Sequence, residues 1–293
     1  MCEKVTSALS ELVNILTLEK IGDDLYLGVG SKNDGADATY GGHLLGQATK
    51  AAIETVESGK NIHSLHVYFL SGGIPGEAIT YFVESLRDGR SFCSRRVVAM
   101  QKNKKLLELN ASFCVKRVGL KFSVDAPEDF HSLPSPESLP RYKDLMLRQD
   151  PIPFREDWAL EERGVDVRVV NAPWGSAGLS DRKGIRMWIR LDGKLKLDAA
   201  THAAILAYQS DESLADNVLT PFGLTWGSTE VFLVSLDHSM WFHDVIDLDS
   251  WHFVEQWPVY TGSERGVASA HVWNAKGNLV ASFTQEALVR FNG

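Results

Sequence analysis

"LDAATHAAILAYQS", residues 197–210, has the length of a helix yet is apolar almost all the way round. A helix lying on a surface keeps a polar face, so one without such a face must be covered on every side. Four runs rich in β-branched and aromatic residues follow it: "EVFLVSLDHSMWF" (230–242), "HFVEQWPVY" (252–260), "GVASAHVWN" (266–274) and "NLVASFTQEALV" (278–289). None carries a helical stripe, so each reads as a strand. One helix followed by an antiparallel meander is an α+β unit in which the sheet wraps around the helix.

The same order occurs earlier in the chain. "YGGHLLGQATKAAIETV" (40–56) has helical periodicity and precedes "HSLHVYFL", "ITYFVESLRD", "SFCSRRVVAMQ" and "KLLELNASFCV". Each helix also has a β-like run before it, "DLYLGVG" in the first half and "KGIRMWIRL" in the second. Ala111-Ser112-Phe113 matches Ala281-Ser282-Phe283, and at the same offset Arg95 matches Arg265. These matches point to an internal duplication. Six of the ten prolines lie between Pro127 and Pro153, a density that forbids a long helix or a central strand. The expected organisation is therefore a first repeat over residues 1–117, a Pro-rich linker over 118–163 and a second repeat over 164–293. Each small sheet leaves an edge to cover, and two copies side by side form a pseudo-dimer within one chain. The N-terminal "MCEKVTSALSELVNILTLEKIGDD" has the apolar spacing of an amphipathic helix and, with acids among its apolar residues, not the plan of a signal peptide.

At 293 residues, 44% hydrophobic and 23% charged, the composition is that of a globular protein, and no apolar run approaches the ~20 residues of a membrane span. The net charge of −8 argues against general nucleic-acid binding. Cys2, Cys93 and Cys114 are too few and too scattered for a disulfide framework, which favours a reducing compartment.

"SLDHSMWFH" (235–243) crowds a serine, an aspartate and a histidine together. On a strand, neighbours point to opposite faces. Ser235, Asp237 and Ser239 are then expected on one face and His238 on the other, so Asp237 cannot orient His238 as a hydrolytic triad requires. No G-x-S-x-G elbow occurs: "GSERG" (262–266) and "WGSAG" (174–178) misplace the serine. No HExxH or CxxC is present, His63 and His66 alternate faces on a strand, and His202 sits inside the apolar helix, so no metal set is expected. "GVGS" (28–31) lacks the third glycine of a dinucleotide loop, and no cofactor is expected.

Three polar residues remain where burial is expected: Asp211 at the end of the second helix, Ser235 on the strand after it, and Gln285 in the last strand, where the first repeat has Val115. An unpartnered polar group at such a position carries a burial penalty. Singly, each also reads as a helix-end acid, a strand hydroxyl or a surface amide.

The chain resembles the acyl-CoA thioesterase II family, the double hot-dog thioesterases. The matching stretches are "LEKIGDDLYLG", "YGGHLLGQA", "HSLHVYFL", "LRDGRSF..RRV", "MWIR", "LAYQSD", "SLDHSMWFH", "SERG" and "ASFTQEALVR", in the family's order over nearly the whole chain. The resemblance implies two tandem hot-dog repeats and hydrolysis of fatty acyl-CoA to free acid and coenzyme A without a covalent acyl-enzyme. It implies a catalytic set of Asp211, Ser235 and Gln285, and assembly as a homodimer or higher oligomer. Gly41 and Gly42, opening the first helix, are expected to let the backbone approach an oxyanion or substrate, or simply to make the turn before that helix. For coenzyme A phosphates the densest basic cluster on one hairpin is Arg87, Arg90, Arg95 and Arg96. Arg95 and Arg96 face opposite ways on a strand, so at most one lines a given pocket. Arg95 is the expected contact, the alternative being solvated hairpin charges. A hot-dog hydratase would need D-x-N-P-x-H, which is absent. The competing class is a non-catalytic acyl-CoA-binding or sensing subunit. The terminal "RFNG" is not an SKL-like address, which favours cytoplasm over peroxisome.

Overall fold

The fold is taken from a computed structural model, which describes residues 6–30, 38–149, 156–171 and 184–291. Cys2, Ser31 at the end of "GVGS" and the whole of "WGSAG" lie outside the described residues. The first half contains α1 (Ser7–Ile15), β1 (Glu19–Gly22), β2 (Leu25–Val29), α2 (Gly41–Glu54), β3 (Lys60–Phe69), β4 (Ala78–Asp88), β5 (Phe92–Gln101) and β6 (Lys104–Val115). Two short helices, α3 (Tyr142–Met146) and α4 (Glu156–Ala159), precede the second half. That half contains β7 (Val165–Asn171), β8 (Arg186–Leu191), α5 (Ala199–Ser210), β9 (Val231–Ser235), β10 (Asp237–Phe242), β11 (His252–Gly262), β12 (Arg265–Asn274) and β13 (Leu279–Phe291).

All strands pair antiparallel in one continuous sheet of order β1-β2-β4-β5-β6-β3-β10-β13-β12-β11-β8-β7, with β9 also on β13. The order is palindromic: each half runs inward to its own first meander strand, and β3 meets β10 at the centre through pairs such as Leu65↔Met240. Each half thereby closes the other's open edge.

The helices α2 and α5 lie inside this sheet and against each other. Thirteen-atom helical bonding satisfies their backbones, and their buried polar side chains find fixed partners. Gln47 of α2 donates to Ile15 O (2.7 Å) and Val29 O (3.1 Å) and accepts from the Tyr81 hydroxyl (2.7 Å). His202 of α5 accepts the Leu248 N–H at Nδ1 (3.1 Å), the structural role its apolar setting suggests. Asp198 caps α5 by accepting from Thr201 N at 2.7 Å. The N-terminal end of α2 abuts the C-terminal end of α5, since the Tyr40 hydroxyl donates to Tyr208 O at 2.9 Å.

Two expectations need correction. First, the Arg95–Arg265 match does not survive the strand register. Ala111 lies opposite Arg95, whereas its tripeptide counterpart Ala281 lies opposite Val272, so Arg265 is not the structural equivalent of Arg95. Second, "EVFLVSLDHSMWF" is not one regular strand. Ser239 pairs with Thr284 and Ser235 with Ala287, so four steps along one strand span three along β13. The extra residue is a β-bulge at Leu236, and a bulge re-aims the side chains beyond it. Ser235 therefore turns to the buried face with Val231 and Leu233, and does not share the outer face of Asp237 and Ser239. Asp237 and His238 do point to opposite faces, as a strand requires.

The Pro-rich stretch packs against the second half. Phe130 is 6% exposed in a cluster with Trp188, Phe253 and Trp273, and Asp129 forms a forked pair with Arg186 at 2.7 and 2.8 Å. Phe130→Ala is expected to lower unfolding free energy by about 3–5 kcal/mol in a denaturant melt. A change below about 0.5 kcal/mol, the range of an uninvolved surface position, would mean that the stretch is only a tether.

Candidate active site

The bulge at Leu236 brings the three polar residues together. Asp211 is the C-terminal cap of α5, Ser235 ends β9, and Gln285 lies on the buried face of β13 between Phe283 and Ala287. Ser235 Oγ donates to Asp211 Oδ1 at 3.2 Å. The Gln285 amide nitrogen donates to the same carboxylate oxygen and to Ser235 Oγ, the latter at 2.8 Å. Reversing the amide would set its oxygen against the carboxylate, so the network fixes its orientation. Gln285 is 1% exposed, and its Oε1 is a buried acceptor with no hydrogen-bond partner among the described residues.

The wall opposite is the start of α2. Gly42 N–H donates to Asp211, and a Cβ on Gly41 would stand 2.5 Å from Asp211 Oδ2. A Cβ on Gly42 would fall 2.2 Å from Tyr208 O and against the Tyr40 ring. Glycine is thus required at both positions by close approach of helix end to helix end. The arrangement sets Asp211 between opposed dipoles: the C-terminus of α5 disfavours its negative charge, and the N-terminus of α2 favours it.

Burial dominates. It pushes the Asp211 carboxyl up to about 6, against the opposing effect of the donors Gln285, Ser235 and Gly42. The same carboxylate, with burial as the larger cause, holds the neighbouring Tyr40 phenol well above its ordinary range and therefore neutral. Tyr40 stacks edge-on to Tyr208 and Trp158 at 5.2 and 5.3 Å, an aromatic frame that the sequence reading missed.

His238, the histidine of the crowded motif, serves the site indirectly. Ser210 Oγ donates to Ala207 O at 2.8 Å, so it accepts from His238 Nε2 at 3.0 Å. Complete burial pushes His238 down to about 3 and keeps it neutral. The ring ties the last turn of α5 to the sheet one residue before Asp211.

Arg95 is not at this site. It lies at the other end of α2, and all five of its N–H groups are engaged: with Thr55 Oγ1 and O, Arg87 O, Ser94 O and Asp88. No donor remains for a phosphate. His63 and His66 bond to Ser112 and Ser239 at 2.9 and 3.0 Å. Among the described residues, His202, Asp247 and Asp249 place ligand-type atoms within 4.8 Å of one another. Because His202 Nδ1 accepts from Leu248, the neutral ring carries its proton on Nε2 and presents no lone pair to an ion.

Residues 30–114 match the family model described as "Acyl-CoA thioesterase N-terminal domain", and residues 127–289 match the one described as "Acyl-CoA thioesterase C-terminal domain". The chain belongs to the acyl-CoA thioesterase II family. It is 32% identical over 301 aligned residues to acyl-CoA thioesterase 2 of Haemophilus influenzae, covering 98% of this chain and 100% of that one. An acyl-CoA thioesterase II from Mycobacterium marinum superposes with a TM-score of 0.76 at 29% identity, over 96% and 97% of the two chains. A protein with hot dog fold from Alicyclobacillus acidocaldarius superposes equally well, TM-score 0.76, at 17% identity over 96% and 98%. That last likeness is one of fold. Each helix-and-sheet repeat of this thioesterase is a hot-dog unit.

Gly41→Ala is expected to cut acyl-CoA turnover by about 100-fold, the size of effect that ~1 Å misplacement of a reacting group produces. Circular dichroism should show an intact fold. Unchanged turnover would mean that the Gly41–Asp211 approach has no part in the reaction.

Proposed function

We propose that this chain hydrolyses fatty acyl-CoA to the free acid and coenzyme A by direct attack of water, with Asp211 as general base and no acyl-enzyme. The observation that carries the mechanism is the unpartnered Oε1 of Gln285 beside the buried Asp211 carboxylate. A water placed there donates one proton to Asp211 and the other to Gln285 Oε1, which leaves its lone pair directed outward. Ser235 does not act as a nucleophile: its proton is directed to Asp211 and its oxygen accepts from Gln285. It fixes the carboxylate instead.

Attack forms the carbon–oxygen bond while the water proton passes to Asp211. The thioester carbonyl becomes an oxyanion at the N-terminus of α2, where the helix dipole favours negative charge. Gly42 N–H is already committed to Asp211, so Gly41 N–H is the donor we assign to the oxyanion. Collapse breaks the carbon–sulfur bond, and Asp211 returns the proton to the departing thiolate. A base ionising near 6 suits this work at neutral pH: it is charged and still basic enough to take a proton.

We further propose that catalysis belongs to the second repeat (164–293), with the first (1–117) supplying the α2 terminus across the 118–163 linker. The working compartment we propose is the cytoplasm, in keeping with the free thiols of Cys93 and Cys114, and the proposed assembly is a homodimer or higher oligomer. Among the described residues no helix is long and apolar enough to cross a membrane.

Release of free thiol from palmitoyl-CoA tests the reading. Asp211→Asn should lower kcat by about 10²–10⁴-fold, the usual contribution of a general base, with binding of an acyl-CoA thioether retained. Ser235→Ala and Gln285→Ala should give smaller losses. Near-normal turnover by Asp211→Asn would refute the assignment, and wild-type binding without thiol release would leave a sensing subunit.

The pH profile gives a second check. Activity requires ionised Asp211, so it should rise with pH through about 6 and level off above. Gln285→Ala removes a donor that stabilises the charged form, so its limb must move to higher pH. A limb that stays in place or moves down would contradict the role given to Gln285.

A further inference from the structure

The palindromic sheet and antiparallel helices create a second location equivalent to the active site, at the other end of the helix pair. There the end of α2 meets the start of α5, and the structure has a cleft of about 380 Å³, within the ~300–1,000 Å³ range of small-molecule sites. Its apolar walls are Ile53, Val56, Phe113, Ala203, Phe242 and Ile246. The hydrolytic groups are missing. Thr55 caps α2 where Asp211 caps α5, and Val115 stands at the tripeptide-aligned position of Gln285. The helix start is closed as well, because the Asp198 side chain accepts from Thr201 N.

What the cleft does have is Lys60. Its side chain is 11% exposed, yet its partner is Glu57, 88% exposed, at 3.4 Å. An ammonium so far withdrawn from water requires a close counter-charge, and one long contact to a solvated carboxylate supplies little. Glu57, Asp198 and Asp244 also line the cleft, with Lys116 spent on Asp244 at 3.1 Å, so a head group bearing several phosphates would be repelled. A single carboxylate on an aliphatic chain satisfies both conditions.

We infer that this cleft binds a free fatty acid, its tail along the apolar walls and its carboxylate on the Lys60 ammonium. The cleft stands on its own geometry, and only the local supply of such a ligand rests on the hydrolysis proposed above, which produces it. The repeat that lost the catalytic groups then keeps the acyl-binding shape, and one chain holds a hydrolytic site and a product-type site.

The test is calorimetric titration of the full-length wild-type chain with tetradecanoate below its micellar concentration, with a non-hydrolysable acyl-CoA thioether saturating the thioester site. About one equivalent of tetradecanoate per chain is expected to bind still. Lys60→Met should weaken that binding by at least about tenfold, equivalent to about 1.4 kcal/mol, while tetradecanol binds both proteins alike. Loss of all tetradecanoate binding under the thioether, or equal affinity in Lys60→Met, would overturn the inference. Thiol release from palmitoyl-CoA by wild type and Lys60→Met is read separately. Activity without a second binding event defeats the cleft alone, and a second binding event without activity defeats the hydrolase reading alone.

Discussion

The structure depends on one carboxylate kept out of water. Asp211 ends a helix that the sheet encloses, with the start of a second helix pressed against it, and burial raises its proton affinity despite the three donors that favour its charge. Every other feature of the site follows from accommodating it. Two adjacent glycines permit the helix ends to touch, a bulge turns Ser235 inward, and an amide on the last strand is exactly long enough to bridge hydroxyl and carboxylate. Such a buried charge is a stability liability that proteins retain where function needs it.

Duplication explains how the carboxylate came to be flanked by two helix ends. A single helix wrapped by a sheet offers one terminus at each end of the layer. Two antiparallel copies place a C-terminus beside an N-terminus at both ends of the pair. In this chain the two have diverged. One end has Asp211, Gln285 and an α2 start whose Gly42 N–H donates to Asp211, and the other has Thr55, Val115 and an Asp198 cap.

Much of this was legible in the letters, and the failures have definite causes. Helices and most strands could be read because apolar periodicity follows from which faces are covered. β7, "VDVRVVN", alternates well enough to have been found, but it was masked by the Pro-rich stretch before it, and β1 is a short exposed edge with little pattern. The face of Ser235 was misread because a bulge is set by register with β13, which no local window contains. Arg95 was misassigned because charge alone cannot distinguish a phosphate contact from a guanidinium spent on the end of its neighbouring helix. Asp211 and Gln285 are buried as the sequence pattern leads one to expect and Ser235 is half-buried, but their shared hydrogen bonds could not be foreseen. Tyr40 and His238 act through geometry that composition does not encode.

The most direct test is to watch the Asp211 carboxyl itself. Its ¹³C resonance, followed across pH in the free protein, should titrate with a midpoint near 6 and coincide with the inflection in kcat/KM. A midpoint in the ordinary aspartate range of about 4, or an inflection unrelated to it, would mean that this carboxylate is not the buried base on which the mechanism rests.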